Sequence, residues 1–217
     1  MGGNEHGGIV PWREAVQKAA REAAAIEIEV KWGGAGGIFN YRWEHVKAVV
    51  RTAVRLAELS GADVEIVEAA AWLHDVAKKR HSEAHGREGA AVAREILGRT
   101  DFPPEKAEAV AEAIAKHVGL FVPENVTIEP LEAAVLWDAD KLTKIGATAV
   151  LHFVGYGATK GRSTREMIDR LPGLDHWQPK TVQSFHTEAA RRVGKERWAL
   201  FAAFCRQAEI EFDGQDL

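Results

Sequence analysis

Apolar residues recur at three- and four-residue spacing along most of this chain, and that periodicity constrains the fold more than any other feature of the sequence. No stretch of useful length alternates between apolar and polar residues, and no internal repeat is convincing. The sequence therefore predicts an all-α protein. The clearest helix, from about Trp43 to Leu59, has one apolar stripe formed by Val46, Val49, Val50, Ala53, Val54 and Ala57.

Glycine and proline residues divide this pattern into separate helices, because glycine commonly follows a helix end and proline cannot continue a helix. GGAGG at Gly33–Gly37 breaks the first helix, Ser60-Gly61 ends the second, and Gly155–Ser163 is expected to be a Gly-rich loop. The predicted helices are about Pro11–Glu29, Trp43–Leu59, Val64–Lys78, Arg87–Leu97, Pro104–His117, one from near Glu129, and Pro179–Glu211.

This order of helices predicts a central core with an extension at each end. We expect a tail and a helix at residues 1–40 and the core at 41–150. A loop and a C-terminal helical extension, packed on that core, are expected at 151–217. A chain of 217 residues is long enough for one domain of this kind.

Charge and cysteine content exclude some classes of function. With a formal net charge of −4, the chain has no global attraction for a nucleic acid polymer or an anionic membrane. Its single cysteine, Cys205, cannot form an intramolecular disulfide, which is typical of a reducing compartment. The sequence begins without a basic region and an apolar core, and no apolar run approaches ~20 residues. We therefore expect a cytoplasmic protein. A nucleotide or another small phosphate ester stays open as its ligand, and its oligomeric state, monomer or homodimer, stays open as well.

Residues of metal-ligand type fall at matching distances from the turn at Ser60-Gly61. His45 precedes this turn and His74 follows it, in two helices that the short connection makes antiparallel. At a rise of ~1.5 Å per residue, both histidines lie roughly 20 Å from the turn. Two imidazoles and the carboxylate of Asp75 therefore meet at one level of the hairpin, and this set of two nitrogens and one oxygen suits Mn, Fe, Ni, Co or Zn.

The next helical hairpin repeats the arrangement. His85 lies about 15 residues before the turn near Thr100, and His117 lies about 17 residues after it, so both fall at the end away from that turn. Two successive hairpins that each bring candidate ligands together are harder to attribute to chance than one.

The flanking residues make the chain resemble the HD superfamily of metal-dependent phosphohydrolases. The resemblance covers about residues 41–150 and depends on His45 in YRWEH, His74-Asp75 in AAAWLHDVAK, and Asp140 in VLWDADKLTKIGA. It implies an HD-domain helical bundle with N- and C-terminal helical extensions. It also implies that His45, His74, Asp75 and Asp140 bind a divalent metal. Only the family pattern, not the spacing, favours Asp140 over Asp138.

The same resemblance leaves two roles open for His85 and His117. Family members with two metals have additional histidines after the His-Asp pair, and HGREG and AKHVG contain histidines in such positions. The two residues either bind a second metal, with Asp75 as a bridging ligand, or contact the substrate phosphate beside a single metal. The expected cofactor is one or two divalent metals per chain, either Mn, Fe, Ni, Co or Zn, with Mg as a further candidate.

Two lysines are candidate partners for a substrate phosphate. Lys78 follows His74 by four residues, so an α-helix would place both on the same side. Lys141 directly follows Asp140. An ammonium at either position could pair with a non-bridging oxygen as charge builds in the transition state. Asp75 and Lys78 are the predicted catalytic residues. Nucleotidases of the family often have Glu where Lys78 stands, so no carboxylate base for the attacking water is present at that position.

The activity that this resemblance implies is cleavage of a phosphomonoester or phosphodiester bond in a small, nucleotide-like substrate. Two branches of the family fit poorly. Val76-Ala77-Lys78-Lys79 stands where alarmone hydrolases have acidic residues, and Val118-Gly119-Leu120 stands where cyclic-dinucleotide phosphodiesterases have Gly-Tyr-Pro. The alternatives are a di-iron oxygenase of the same fold and a ligand-binding protein that has lost turnover.

Overall fold

The structure is a computed structural model that describes residues 9–32, 39–78, 84–171 and 178–217. Within these ranges the regular elements are helices, which confirms the all-α prediction. The helices are α1 (Trp12–Trp32), α2 (Tyr41–Ser60), α3 (Val64–Leu73), α4 (His85–Leu97), α5 (Pro104–Lys116), α6 (Leu131–Leu142), α7 (Ala147–Thr159), α8 (Thr164–Arg170), α9 (Gln178–Gln183) and α10 (Glu188–Phe212).

Helices α2 and α3 form the antiparallel hairpin that the sequence predicted. Gly61 follows α2 with φ 77°, a left-handed conformation that glycine adopts without steric cost, and its amide donates to Ala57 O at 2.9 Å. The Asp63 side chain then accepts from the amides of Glu65 and Ile66 at 3.0 and 3.2 Å, which caps α3. This tight connection fixes how far each helix extends from the turn.

One large apolar cluster joins α1 to α6 and holds the hairpins side by side. Its fully buried members include Leu73, Ile114 and Trp137, one from each of three helices. A smaller cluster lies toward the C-terminus and consists of Ala149, Leu171, Phe201 and Cys205. Because hydrophobic burial scales with the area removed from water, the larger cluster dominates the stability of the fold. The division of the chain at residues 40 and 150 stays a prediction.

Two predicted boundaries in the C-terminal third are wrong. Gly155–Ser163 is not a loop throughout, because α7 continues to Thr159. Its glycines serve close packing instead: a Cβ on Gly155 would lie 2.6 Å from Phe39 Cε1, and one on Gly157 would lie 2.7 Å from Met167 Sδ. Composition alone therefore misassigned the segment. The sequence reading also missed α8, which begins at Thr164, directly after the predicted loop.

The predicted long helix Pro179–Glu211 is in fact two helices, α9 and α10, with a break between them. At the break, the side chain of Thr187 accepts from Ala190 N at 3.2 Å and caps α10. Asp138 of α6 accepts from Thr187 N at 2.7 Å and from His186 N at 2.9 Å. A buried carboxylate from a distant helix thus satisfies the amides that a continuous helix would have paired internally.

Helix α3 is shorter than predicted, because it ends at Leu73 rather than near Lys78. Residues 74–78 follow it in tight turns, with Val76 N donating to Leu73 O at 3.1 Å and Lys78 N donating to Asp75 O at 3.0 Å. The predictions made for residues 1–8 and for GGAGG at Gly33–Gly37 lie outside the described residues. None of the described helices is both long enough and apolar enough to cross a membrane.

Candidate metal centre

Three buried side chains from separate elements lie together at the end of the α2–α3 hairpin that is away from its turn. His45 comes from α2, His74 follows the end of α3, and Asp140 comes from α6. His45 Nε2 lies 3.2 Å from Asp140 Oδ1 and 3.4 Å from His74 Nε2. One ligand atom from each of the three lies within 4.8 Å of the others. The helical hairpin therefore brings together the residues that its spacing predicted, and α6 adds the distant carboxylate.

Backbone carbonyls orient two of the imidazoles at this site. His74 Nδ1 donates to Ala71 O at 2.7 Å, and His117 Nδ1 donates to Ile114 O at 2.5 Å. A carbonyl oxygen can only accept, so the proton of each neutral ring lies on Nδ1 and the lone pair lies on Nε2. Each Nε2 thus faces the site in the form that binds a metal.

A second group, consisting of Asp75, His85 and His117, adjoins the first. One ligand atom from each again lies within 4.8 Å of the others. The ring centroids of His74 and His117 are 5.2 Å apart, as are those of His117 and His85. The second predicted hairpin therefore also brings its histidines together, and the two groups form one continuous site.

Asp75 lies between the two groups and faces both with different oxygens. Its Oδ2 is 3.4 Å from His74 Nε2 and 3.7 Å from His45 Nε2. Its Oδ1 is 3.6 Å from His117 Nε2. A carboxylate in this position can bridge two cations, which is the arrangement expected of a two-metal site.

Buried atoms without a hydrogen-bond partner at this position test whether the residues fit a cation. His117 Nε2 and Asp75 Oδ1 are both buried without a hydrogen-bond partner. Lys78 Nζ lies 3.1 Å from that oxygen, but without hydrogen-bond geometry. Buried polar atoms are rarely left unpaired in native proteins. The lone pair of His117 Nε2 faces Asp75 Oδ1 at 3.6 Å, and both atoms could bind the same cation. The residues present therefore fit a divalent metal.

Two cations compensate the charge of Asp75. Arg42 of α2 donates to Asp75 Oδ2 and, with its Nε, to Glu27 Oε2 at 2.6 Å. Lys78 approaches the same carboxylate from the solvent side, and 24% of its side chain is exposed. Burial alone would raise the pKa of Asp75, but Arg42, Lys78 and the adjacent histidines together outweigh it and hold that pKa well below its usual range. Asp75 is thus ionised at neutral pH.

Asp140 has its own pair of lysines. Lys141 Nζ contacts Asp140 Oδ2, and Lys144 Nζ lies 2.5 Å from Oδ1. Burial alone would raise the pKa of Asp140, yet these two ammonium groups hold it well below its usual range. The Lys141 ammonium is buried and also donates to His117 O at 2.8 Å, so it does not face a substrate as predicted. Its burial lowers its pKa to about 7.

The buried histidines favour their neutral forms. Burial lowers the pKa of His45 to about 3 and the pKa of His117 to about 4. Neutral imidazoles and ionised carboxylates are the protonation states that bind metals. The site is therefore set for a cation at neutral pH without first releasing protons from these rings.

The structure separates the two candidate aspartates of α6. Asp140 faces the histidines, whereas Asp138 points to the break before α10 and accepts from Thr187 Oγ1 at 2.8 Å. The two side chains point in different directions because residues two apart on a helix lie on different faces. Asp138 therefore anchors the C-terminal helix.

Sequence reasoning missed four residues that contact the candidate ligands. Arg42 and Lys144 bind the carboxylates, Thr143 Oγ1 lies 3.2 Å from His45 Nδ1, and the ring of Tyr41 stacks on His45 at 5.9 Å between centroids. The signal for Lys144 was its position four residues after Asp140, which places the two one turn apart. Arg42 contacts Glu27 of α1 and Asp75, both far from it in the sequence, so no local signal indicated these contacts.

The site is a continuous set of buried histidines and aspartates in a helical bundle, and it could hold metal ions. Residues 42–145 match the family model of the HD domain. The matched region contains all six candidate ligands, so this part of the chain is an HD domain.

The chain is similar to three known proteins over different shares of its length. The Bacillus subtilis protein YpgQ is 27% identical over 182 residues, covering 82% of this chain and 87% of YpgQ. Its crystal structure with ADP has a TM-score of 0.60 and 24% identity, covering 87% of this chain and 97% of that one. An HD-superfamily hydrolase from Bacillus thuringiensis has a TM-score of 0.61 and 23% identity, covering 93% of this chain and 98% of that one. These structures share the fold.

The third relative is the tRNA (cytidine(56)-2'-O)-methyltransferase of Thermoplasma volcanium. It is 27% identical over 132 residues, which is 56% of this chain. The matched region spans only 36% of the methyltransferase, so the similarity concerns one part of that protein.

Proposed function

We propose that this protein is a metal-dependent phosphohydrolase that cleaves a phosphomonoester or phosphodiester bond of a small, nucleotide-like substrate. The observation that carries the proposal is the position of Asp75, between the His45–His74–Asp140 group and the His85–His117 pair. Its two oxygens face separate sets of imidazoles, as a bridging ligand would.

In this proposal His45, His74, Asp75 and Asp140 would hold one divalent metal, and His85 and His117, together with Asp75, would hold a second. A bound divalent cation offsets the charge of a phosphate ester and lowers the pKa of a bound water. Arg42 keeps Asp75 ionised and in place, and Lys144 does the same for Asp140. The positive charges of Arg42 and Lys144 keep the buried carboxylates from binding protons, which would compete with a metal.

Lys78 is the proposed contact to the substrate phosphate. Its ammonium lies beside Asp75 and is partly exposed, so it can reach both the site and a ligand entering from solvent. It would pair with a non-bridging oxygen as negative charge grows in the transition state. Lys141, by contrast, positions Asp140 from the interior.

The nucleotide-like substrate is supported by the relative that crystallised with ADP. A screen of phosphorylated metabolites, including nucleoside mono-, di- and triphosphates, would test it. Each would be incubated with protein loaded with Mn, Fe, Ni, Co, Zn or Mg, and phosphate release would be measured. We expect metal-dependent release from at least one nucleotide and none from the His74→Ala variant. Release that persists in His74→Ala, or no release from any phosphate ester, would refute the proposal.

The second group of ligands also favours one competing function, that of a di-iron oxygenase. A carboxylate shared between two histidine pairs suits two irons as well as two redox-inactive metals. Metal content separates the two functions: two irons per chain together with substrate-dependent oxygen uptake would favour the oxygenase. Metal and nucleotide binding without turnover of any kind would instead favour a binding protein.

A further inference from the structure

A groove between α2 and α10 concentrates positive charge away from the metal centre. Its volume is about 280 Å³, and its lining includes Arg51 and Arg55 from α2 and Arg192 and Arg197 from α10. Leucine and other uncharged side chains complete the wall, and no acidic residue lines it among the described residues. None of the candidate metal ligands lines it either. In a chain of net charge −4, this is a local reversal of sign.

The arginines on the rim of the groove are only partly neutralised. Arg55 pairs with Glu58 at 2.8 Å and Arg192 pairs with Glu196 at 3.3 Å, both in exposed pairs that solvent screens. Arg51 has no carboxylate partner in the part of the chain that the structure describes. The groove therefore keeps a net positive charge.

Arg197 is less exposed than the other three arginines of the groove. Its side chain is half-buried, and its Nη1 donates to Leu142 O at 2.8 Å. This partner is a neutral carbonyl, and no carboxylate pairs with Arg197 within the described ranges. Burial lowers the pKa of Arg197, which is the direction expected when a guanidinium is desolvated without a compensating charge. An anion in the groove would supply that charge.

We propose that this groove is a binding site for a small ligand with two or more phosphate groups. Guanidinium groups bind phosphate oxygens through paired N–H donors, and four of them on two facing helices can contact more than one phosphate. Sites for small molecules usually measure roughly 300–1,000 Å³. The groove, at about 280 Å³, lies just below this range, so it suits a compact anion such as an inorganic polyphosphate or the phosphate tail of a nucleotide. The site goes beyond the proposed hydrolase activity, because it uses no residue of the metal centre.

Calorimetric titration with tripolyphosphate tests the assignment. Because this anion could also bind at the metal centre, the titration is done in wild-type protein and in His74→Ala. The double substitution Arg51→Gln and Arg192→Gln removes two arginines from the groove. This groove variant is made in wild-type protein and in His74→Ala. Both side chains are exposed, so the fold should be retained. The matched control is Arg99→Gln, which removes an exposed arginine paired with Glu95 elsewhere on the surface.

We expect wild-type protein and His74→Ala to share one tripolyphosphate site of similar affinity. Loss of two charge-assisted contacts should weaken it roughly ten-fold or more in the groove variant, and Arg99→Gln should leave it unchanged. Equal affinity in the groove variant, binding lost in His74→Ala alone, or no binding at millimolar tripolyphosphate would overturn the proposal. A short single-stranded RNA that binds more tightly than tripolyphosphate through the same arginines would overturn the assignment to a small ligand.

Discussion

Replacing Gly86 with alanine tests how the second ligand group is built. Gly86 follows His85 at the start of α4, where the backbone passes close to the end of α5. A Cβ at this position would lie 2.6 Å from Val118 Cγ2 and 2.9 Å from Ala115 O. Val118 can move because it is partly exposed, but the carbonyl belongs to the last turn of α5, which also positions His117. The added methyl must therefore push the two helix ends apart.

The expected loss of stability follows from two opposing terms. Overpacking of this kind costs about 1–3 kcal/mol. Alanine recovers part of the ~1 kcal/mol helix-propensity difference from glycine, less than the full amount because Gly86 lies in the first turn of α4. The net change in unfolding free energy is about 1–2 kcal/mol. For a chain of this length, each kcal/mol shifts the Tm by roughly 2–4 °C, so Tm should fall by roughly 2–8 °C.

Thermal unfolding and elemental analysis would measure the two consequences. Gly86→Ala should have a lower Tm and weaker binding at the His85–His117 group, with the His45–His74–Asp140 group retained. Gly89→Ala is the matched comparison: its Cβ would lie 3.2 Å from Ile114 Cγ2, a side-chain atom, and the propensity gain should cancel most of the cost. A Gly86→Ala protein as stable as wild type, with full metal content, would show that the close approach does not set the site.

Four further predictions concern the ligands and Lys78. His74→Ala should stay folded and lose bound metal by elemental analysis, and full retention of metal would contradict its assignment as a ligand. His117→Ala should reduce two metals per chain to one, and unchanged stoichiometry would leave His117 as a substrate contact or a core residue. Asp140→Asn should impair metal binding, whereas Asp138→Asn should leave metal binding intact. Because Asp138 anchors the start of α10, Asp138→Asn should instead lower the unfolding free energy by about 1–2 kcal/mol. Metal loss in Asp138→Asn but not in Asp140→Asn would mean that Asp138, not Asp140, is the ligand. Lys78→Met should keep the metal content and the Tm of wild-type protein while kcat/KM falls by roughly 10²–10³. A change in KM alone would indicate that Lys78 binds the phosphate equally in the ground and transition states.

Local periodicity was sufficient to predict the helical hairpins and the ligand pairs that each of them brings together. His45 and His74 are adjacent because both lie the same distance from the turn at Gly61. His85 and His117 are adjacent for the same reason, at the start of α4 and directly after α5. These relations need only the rise of an α-helix and the position of a turn, both of which the sequence contains.

Where sequence reasoning failed, a contact from a distant segment overrode the local pattern. The segment Pro179–Glu211 reads as one helix, but Asp138 holds a break within it by accepting the amides of His186 and Thr187. The glycines of Gly155–Ser163 read as a loop, but two of them give room to Phe39 and Met167 inside or beside α7. Neither partner can be inferred from the residues that surround the affected segment.

The sequence by itself determined the helical class, the α2–α3 and α4–α5 hairpins, and the residue types that can bind a metal, because each depends on spacing within a short segment. Only the tertiary structure decided which carboxylate faces which imidazole and what charge surrounds it. Asp75 is ionised in the interior because Arg42, held by Glu27 of α1, lies against it. The protonation state of a buried group depends on charges only a few ångströms away in space, and α1 and α2 bring those charges together from separate parts of the chain.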